Sequence, residues 1–260
     1  RMIPDALNAA LGPLRGPILV AAQAGNVSTG AFDPFDEIGT IARAKEAWLH
    51  VDGAFGLWAA TDRSRRALLR GVEKADSWAT DAHKWLNVPY DSGIVIVREP
   101  SHLSAAITKS AAYLIRSVGA ARDNHDFTPE SSRRARGFAI WAAIRSLGRS
   151  GISSMVSRCC DLAVRMADRL REGGVTILND VVLNQVLVRF TPARGGDDAD
   201  PFTRAVVTRI QNGGVLWASG TKRHGADALR ISVSNWSTTE ADIDRSADAI
   251  LAAIRAEDRA

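Results

Sequence analysis

The chain has 260 residues, 46% of them hydrophobic and 24% charged, with a formal net charge of +4. That balance supports a substantial core, in one large domain or two unequal ones, and argues against general disorder. It also argues against a nucleic-acid-binding protein, because the basic runs "RSRR" (63–66) and "SRRAR" (132–136) read as solvated helix faces.

The opening "RMIPDALNAALGPLRG" reads as a helix running straight into a buried strand, so an N-terminal portion is expected to be missing. "PILVAAQAG" (17–25) is a continuous apolar run ending in Gly, consistent with a strand buried on both faces. After the "NVSTGAF" loop, "DPFDEIGTIARAKEAW" predicts a helix, with Asp33 as N-cap and Pro34 in the first turn. "WLHVDGAF" (48–55) is a second strand, "TDRSRRALLRGVEKA" a helix, "DSWATDAH" (76–83) a third strand and "GIVIVRE" (93–99) a fourth. Strands separated by helices imply parallel pairing in a layered α/β domain.

Residues 100–130 lack sustained periodicity, and a connection of that length is usually functional or mobile. The expected mobile loop spans about 105–126. Helices follow at about 131–147 and 152–171. The second carries adjacent Cys159 and Cys160, which point in different directions and read as reduced core thiols in a cytoplasmic protein. "VTILND", "VLNQVLVRF", "GVLWASGTKR" and "ALRISVSNW" read as short strands, and "DPFTRAVVTRIQNGG" and "TTEADIDRSADAILAAIRAE" as helices. The expected division is therefore a large domain over 1–150 and a small C-terminal α+β domain over 151–260. The five histidines lack metal-ligand spacing, no apolar run reaches membrane-spanning length, and no signal peptide is evident.

In open α/β sheets, ligands bind beyond the C-terminal strand ends. Gly25-Asn26, Asp52 and His83-Lys84 stand at three such ends. A carboxylate closing an apolar strand needs a cation or donors, and an enclosed lysine has its neutral, nucleophilic amine made more accessible. One cofactor needs both groups. Pyridoxal phosphate forms a Schiff base with a lysine, and a carboxylate keeps its ring nitrogen protonated. Ala54 is small enough to let a flat ring pack, and His83 stands next to the lysine. Spacing alone leaves other readings open: a structural ion pair of Asp52 with Lys84, and a core histidine at position 83.

"HVDGAF" followed by "DAHKWLNVPYDSG" and preceded by "GNVSTGAFDPF" resembles the group II pyridoxal-phosphate-dependent amino acid decarboxylases, of which aromatic-amino-acid and glutamate decarboxylases are familiar members. The resemblance runs from the opening helix to "LRISVSNW". It implies an α/β protein of PLP fold type I: the latter part of the three-layer α/β/α large domain plus the small domain. It also implies a homodimer with sites built between subunits. By position, Lys84 resembles the Schiff-base lysine, Asp52 the pyridinium partner, Ala54 the ring-packing residue and His83 its neighbour. Arg230 stands where relatives bind substrate or order the site, the alternative being a surface ion pair. Tyr113 in "AAYL" resembles the loop tyrosine that protonates the substrate carbon after CO₂ leaves, the alternative being packing. That tyrosine is replaced in aldehyde-forming relatives.

Two departures stand out. Val27 occupies a position where many relatives have a hydroxyl, so either Asn26 or Ser28 supplies that contact to the cofactor or the contact is absent. Asp81 replaces a common Asn, and a carboxylate facing a phosphate is repulsive, so Asp81 is expected to turn aside or be held by other donors. The resemblance further places the phosphate-binding segment and a ring-stacking histidine N-terminal to residue 1. Tyr90 and Trp58 are expected to pack in the core rather than line the pocket. The function expected is decarboxylation of an L-amino acid to the amine. The alternatives are another fold-type-I lyase or aldehyde synthase, and a noncatalytic truncated or split chain.

Overall fold

The computed structural model describes residues 1–107, 124–130, 132–193, 195 and 199–259. Helix α1 (Pro4–Leu11) leads into β1 (Leu19–Gln23), α2 (Phe35–Ala44), β2 (Trp48–Asp52) and β3 (Ser77–Asp81). The one-turn α3 (Ala82–Trp85), β4 (Gly93–Val97) and α4 (Pro100–Ile107) follow. These strands form one sheet in the order β1-β2-β3-β4. The first three run parallel, as expected, with Gln23 opposite Asp52 and Asp52 opposite Ala79. β4 runs antiparallel to β3, against the expectation. The connection between them, residues 82–92, is too short for the crossover that a parallel pair requires.

Val20, Ala22, Leu49 and Val51 bury one face of this sheet. On the opposite side Leu19 is 66% exposed, and Val95 of the edge strand β4 is also open. Strand β1 therefore alternates exposed and buried residues rather than being buried on both faces.

The helix expected over 61–75 is absent. Short 3₁₀ turns at Gly56–Thr61, Arg66–Leu69 and Val72–Lys74 take its place. Buried Asp62 turns the chain locally by accepting from Ser64 N–H at 2.9 Å and from the Ser64 hydroxyl at 2.8 Å. Gly71 then adopts φ 86° against α2, where a Cβ would lie 2.4 Å from Asp36 N. Asp33 does not cap α2 either. Its two oxygens accept Met2 N–H at 2.7 Å and Gln23 N–H at 2.8 Å, and so tie the chain start to the end of β1.

The two helices expected after residue 131 are both present, as the two segments of α5 (Arg136–Glu172), which meet at a kink where Gly148 takes non-helical φ 62° and ψ −179°. Ser131, the expected start, lies outside the described residues. Before the kink, Phe138 and Trp141 are exposed, whereas Ile152, Met155, Cys159 and Cys160 beyond it are buried. Strands β5 (Thr176–Ile177), β6 (Gln185–Arg189), β7 (Ser219–Arg223) and β8 (Ala226–Ser232) form a second, antiparallel sheet in the order β5-β6-β8-β7. Helices α6 (Ala199–Gly213) and α7 (Glu240–Glu257) pack with α5 around it. A capping box at Thr239 and Asp242 starts α7. One hydrophobic core joins Leu49 and Val51 to the buried half of α5 and to Val186, Val188 and Leu229.

Residues 100–107, expected to be irregular, begin with α4, and 124–127 form a 3₁₀ turn (Asn124–Phe127). The remainder of the expected mobile loop, Tyr113 included, lies outside the described residues.

Candidate active site

The C-terminal ends of β1, β2 and β3 lie side by side, and the loops leaving them are pressed together. Gly56, just beyond β2, sits so close to β1 that a Cβ there would be 2.0 Å from the Ala24 carbonyl oxygen. Gly25 takes φ 87° beside the Phe55 ring. Across this floor, Ala24 N–H donates to Asp52 O at 2.8 Å, Gly53 N–H to Ala79 O at 2.9 Å and Asp81 N–H to Ala54 O at 2.8 Å.

Asp52 is the last residue of β2 and is exposed, so the desolvation cost expected of it does not arise. Its carboxylate accepts Ala54 N–H at 3.1 Å, and no cation pairs with it among the described residues. Ala54 stands half-buried between Asp52 and the Asp81 backbone.

Lys84 does not end a strand. β3 stops at Asp81, and α3 carries the lysine forward on a helical turn. Nor is the amine enclosed, since the side chain is 36% exposed. Its partner is Asp81, whose Oδ2 lies 2.9 Å from Nζ, so the alternative of an Asp52–Lys84 ion pair is not what forms. The amine also stands 5.8 Å from the centroid of the Phe55 ring. Asp81 is thus held by a donor, one of the two outcomes expected of it.

His83 is fixed by Ser92, whose N–H donates to Nδ1 at 3.0 Å. Nδ1 also lies 3.0 Å from the Ser92 carbonyl oxygen, and Nε2 lies 3.6 Å from Asp81 Oδ2. The Tyr90 ring lies against His83 at 4.1 Å between centroids, tilted by 38°. Tyr90 is 71% exposed, which corrects the expectation of core packing. Trp58 is half-buried and donates its indole N–H to Asp81 O at 3.2 Å, in keeping with a packing role.

The 26–30 loop closes on itself. Asn26 Oδ1 accepts Ser28 N–H at 3.1 Å, Thr29 N–H at 3.2 Å and the Thr29 hydroxyl at 3.1 Å. Asn26 Nδ2 donates to Gln23 Oε1 at 3.1 Å. The Asn26 amide therefore organises its own loop, while Val27 is exposed at its tip. Arg230, on β8, reaches this loop and donates from Nη1 to Val27 O at 3.5 Å. Its Nε is buried and has no hydrogen-bond partner. The second sheet thereby delivers a guanidinium to the loop that leaves β1.

Residues that sequence reasoning did not single out hold the lysine turn. Asn87, at φ 52°, donates from Nδ2 to Trp85 O at 2.8 Å and to Ser234 O at 3.0 Å. It thus clamps α3 to the chain leaving β8. Asn before Val-Pro is the available signal, since Asn tolerates a left-handed backbone. Arg134 donates to Tyr90 O at 2.9 Å, and Arg136 Nε donates to Asp91 Oδ1 at 2.8 Å. The hydrogen bond from Arg136 holds the Asp91 carboxyl below its ordinary range.

The pattern of the pyridoxal-dependent decarboxylase conserved domain matches residues 3–191. L-2,4-diaminobutyrate decarboxylase of Rhizobium meliloti (strain 1021) is 30% identical over 258 residues, covering 96% of this chain and 52% of that protein. The crystal structure of Oryza sativa TDC with PLP and tryptamine superposes with a TM-score of 0.90 at 25% identity, over 98% of this chain and 55% of that one. Rhodiola rosea 4-hydroxyphenylacetaldehyde synthase superposes at 0.86, also at 25% identity, over 98% and 54%. The chain spans about half the length of these relatives.

Proposed function

This chain belongs to the pyridoxal-dependent decarboxylase family, and from that premise we propose that it forms the lysine-bearing part of an enzyme that removes the α-carboxyl group of an L-amino acid as CO₂ and leaves the amine. One observation carries the reading. Asp52, with no cation paired to it among the described residues, ends β2, the amine-bearing Lys84 stands just beyond the adjacent β3, and Ala54 links the two strand ends by hydrogen bonds to Asp52 and to the Asp81 backbone.

These residues fit pyridoxal phosphate. Lys84 supplies the amine for its aldehyde, and the exposed Asp52 carboxylate has an oxygen to spare for a protonated ring nitrogen. Arg230 brings a guanidinium to the loop that leaves β1, a cation for an anionic group. When bound, the cofactor supplies an electron sink for the bond between Cα and the carboxylate. Asp52 holds the proton on the ring nitrogen, and Ala54 leaves room for the ring. His83, oriented by Ser92, is the neighbour of the lysine at the cofactor. Arg230 orients the substrate, and Asn26 and Ser28 shape the loop beside it. Tyr113 returns a proton to Cα after CO₂ leaves, a role that rests on the resemblance of "AAYL". A homodimer and a cytoplasmic setting belong to the same proposal. The dimer rests on the family resemblance, and the setting accords with the free, buried Cys159 and Cys160.

Two measurements test this reading. After borohydride treatment of the full-length protein with cofactor, peptide mapping is expected to find a pyridoxyl group on Lys84. A modified lysine elsewhere, or none, removes the assignment. A screen of L-amino acids should then find one that releases CO₂; no release from any of them favours a noncatalytic chain. Likeness to the Rhodiola rosea aldehyde synthase supports a second reading, aldehyde formation. The carbonyl or amine character of the product separates the two.

A further inference from the structure

Asp81 occupies the N-cap position of α3, where an aspartate ordinarily accepts a backbone N–H of the first turn. It does not do so here: no side-chain capping hydrogen bond forms. The carboxylate is aimed instead at Lys84, with Oδ2 2.9 Å from Nζ, and the same oxygen lies 3.6 Å from His83 Nε2. Its backbone is held on three sides. The N–H donates to Ala54 O at 2.8 Å, the carbonyl accepts the Trp58 indole at 3.2 Å, and the residue pairs with Gly93 across β3 and β4. The direction of the carboxylate is therefore built into the strand end.

We propose that Asp81 is a positioning residue that latches the Lys84 amine in an ion pair in the cofactor-free protein, so that the pair must open before the lysine captures the cofactor aldehyde. The inference rests on the cofactor reading of the site. In the capture step a C=N bond forms between Lys84 Nζ and the aldehyde carbon. The aldehyde oxygen leaves as water with two protons of the amine, and the third proton of the ammonium goes to solvent. An amine held 2.9 Å from a carboxylate must leave it to reach the aldehyde, so the latch slows the first contact and not the later chemistry.

The test compares Asp81→Asn and Asp81→Glu with wild type in full-length protein stripped of cofactor. Capture is followed by rapid-mixing absorbance, and borohydride trapping with peptide mapping confirms that the adduct is on Lys84. Two aldehydes are used, pyridoxal phosphate and pyridoxal without its phosphate. Asp81→Asn should capture both faster by a similar factor, roughly two- to fivefold, as suits a part-exposed ion pair. Asp81→Glu, which keeps the charge, should stay nearer wild type. Faster capture of pyridoxal phosphate alone would mean that Asp81 acts on the phosphate, and would overturn the latch. So would unchanged or slower capture of both aldehydes. No adduct on Lys84 in any of the proteins would overturn the cofactor reading and the latch with it, whereas adducts formed at equal rates overturn the latch alone.

Discussion

At Asp52 the fold takes a single hydrogen bond from the carboxylate, donated by Ala54 N–H. An amide oxygen accepts that bond equally well, so Asp52→Asn should keep the melting temperature within a few degrees of wild type. It should slow turnover at saturating cofactor by about a hundredfold, because losing ~3 kcal/mol of transition-state stabilisation has that effect. Near-normal turnover would remove Asp52 from its role. Tyr113→Phe deletes a proton and keeps the ring. Amine formation should fall, and the aldehyde-to-amine ratio under oxygen should rise, as measured by product chromatography. An unchanged ratio and unchanged amine yield would return Tyr113 to packing. Asp52 was legible as a carboxylate at a strand end, which is where β2 places it, whereas Tyr113 lies outside the described residues. Asn87 was not legible, because its value lies in an αL backbone and in partners far along the chain.

Among the elements, the apolar runs of β1, β2 and β4 marked strands because branched aliphatic residues suit a pleated, covered surface. Turns that depend on contacts with other elements were harder to read. Residues 61–75 carry enough leucine and arginine to suggest a helix, yet Asp62 and Gly71 bend the chain to fit α2. The break at Gly148 was legible by contrast: "LGRSG" interrupts the helical run, and the non-helical φ 62°, ψ −179° of Gly148 separates the two expected helices. The floor of the site was also hidden, since the sequence shows glycines but not what they touch. Gly56→Ala would force a methyl group onto the Ala24 carbonyl and should destabilise the protein by ~1–3 kcal/mol. Gly137→Ala, which meets nothing within 4 Å on α5, is the control and should be neutral or stabilising. Denaturant midpoints of the two variants decide the matter. Equal midpoints would show that the floor yields.

Over the whole molecule, one core runs from the first sheet through α5 into the second. Cys159 and Cys160 sit within it, and burial pushes the Cys160 thiol up to about 12. At neutral pH neither thiol should react with iodoacetamide in the native protein, and both should react once it unfolds. Mass spectrometry across a denaturant series should therefore show labelling that follows the unfolding transition. Labelling well before it would mean that α5 opens separately from the rest.

The Asn87 clamp carries a consequence for the order of events during synthesis. Its bond to Ser234 joins residues 147 positions apart. A nascent chain that has just completed α3 can make the local bond to Trp85 O but lacks the Ser234 partner until the end of β8 has left the ribosome. Closing so long a loop is entropically unfavourable and comes late. The turn that presents Lys84 is thus among the last parts to settle, and a ribosome-stalled chain ending before residue 234 would display the lysine on an unclamped turn.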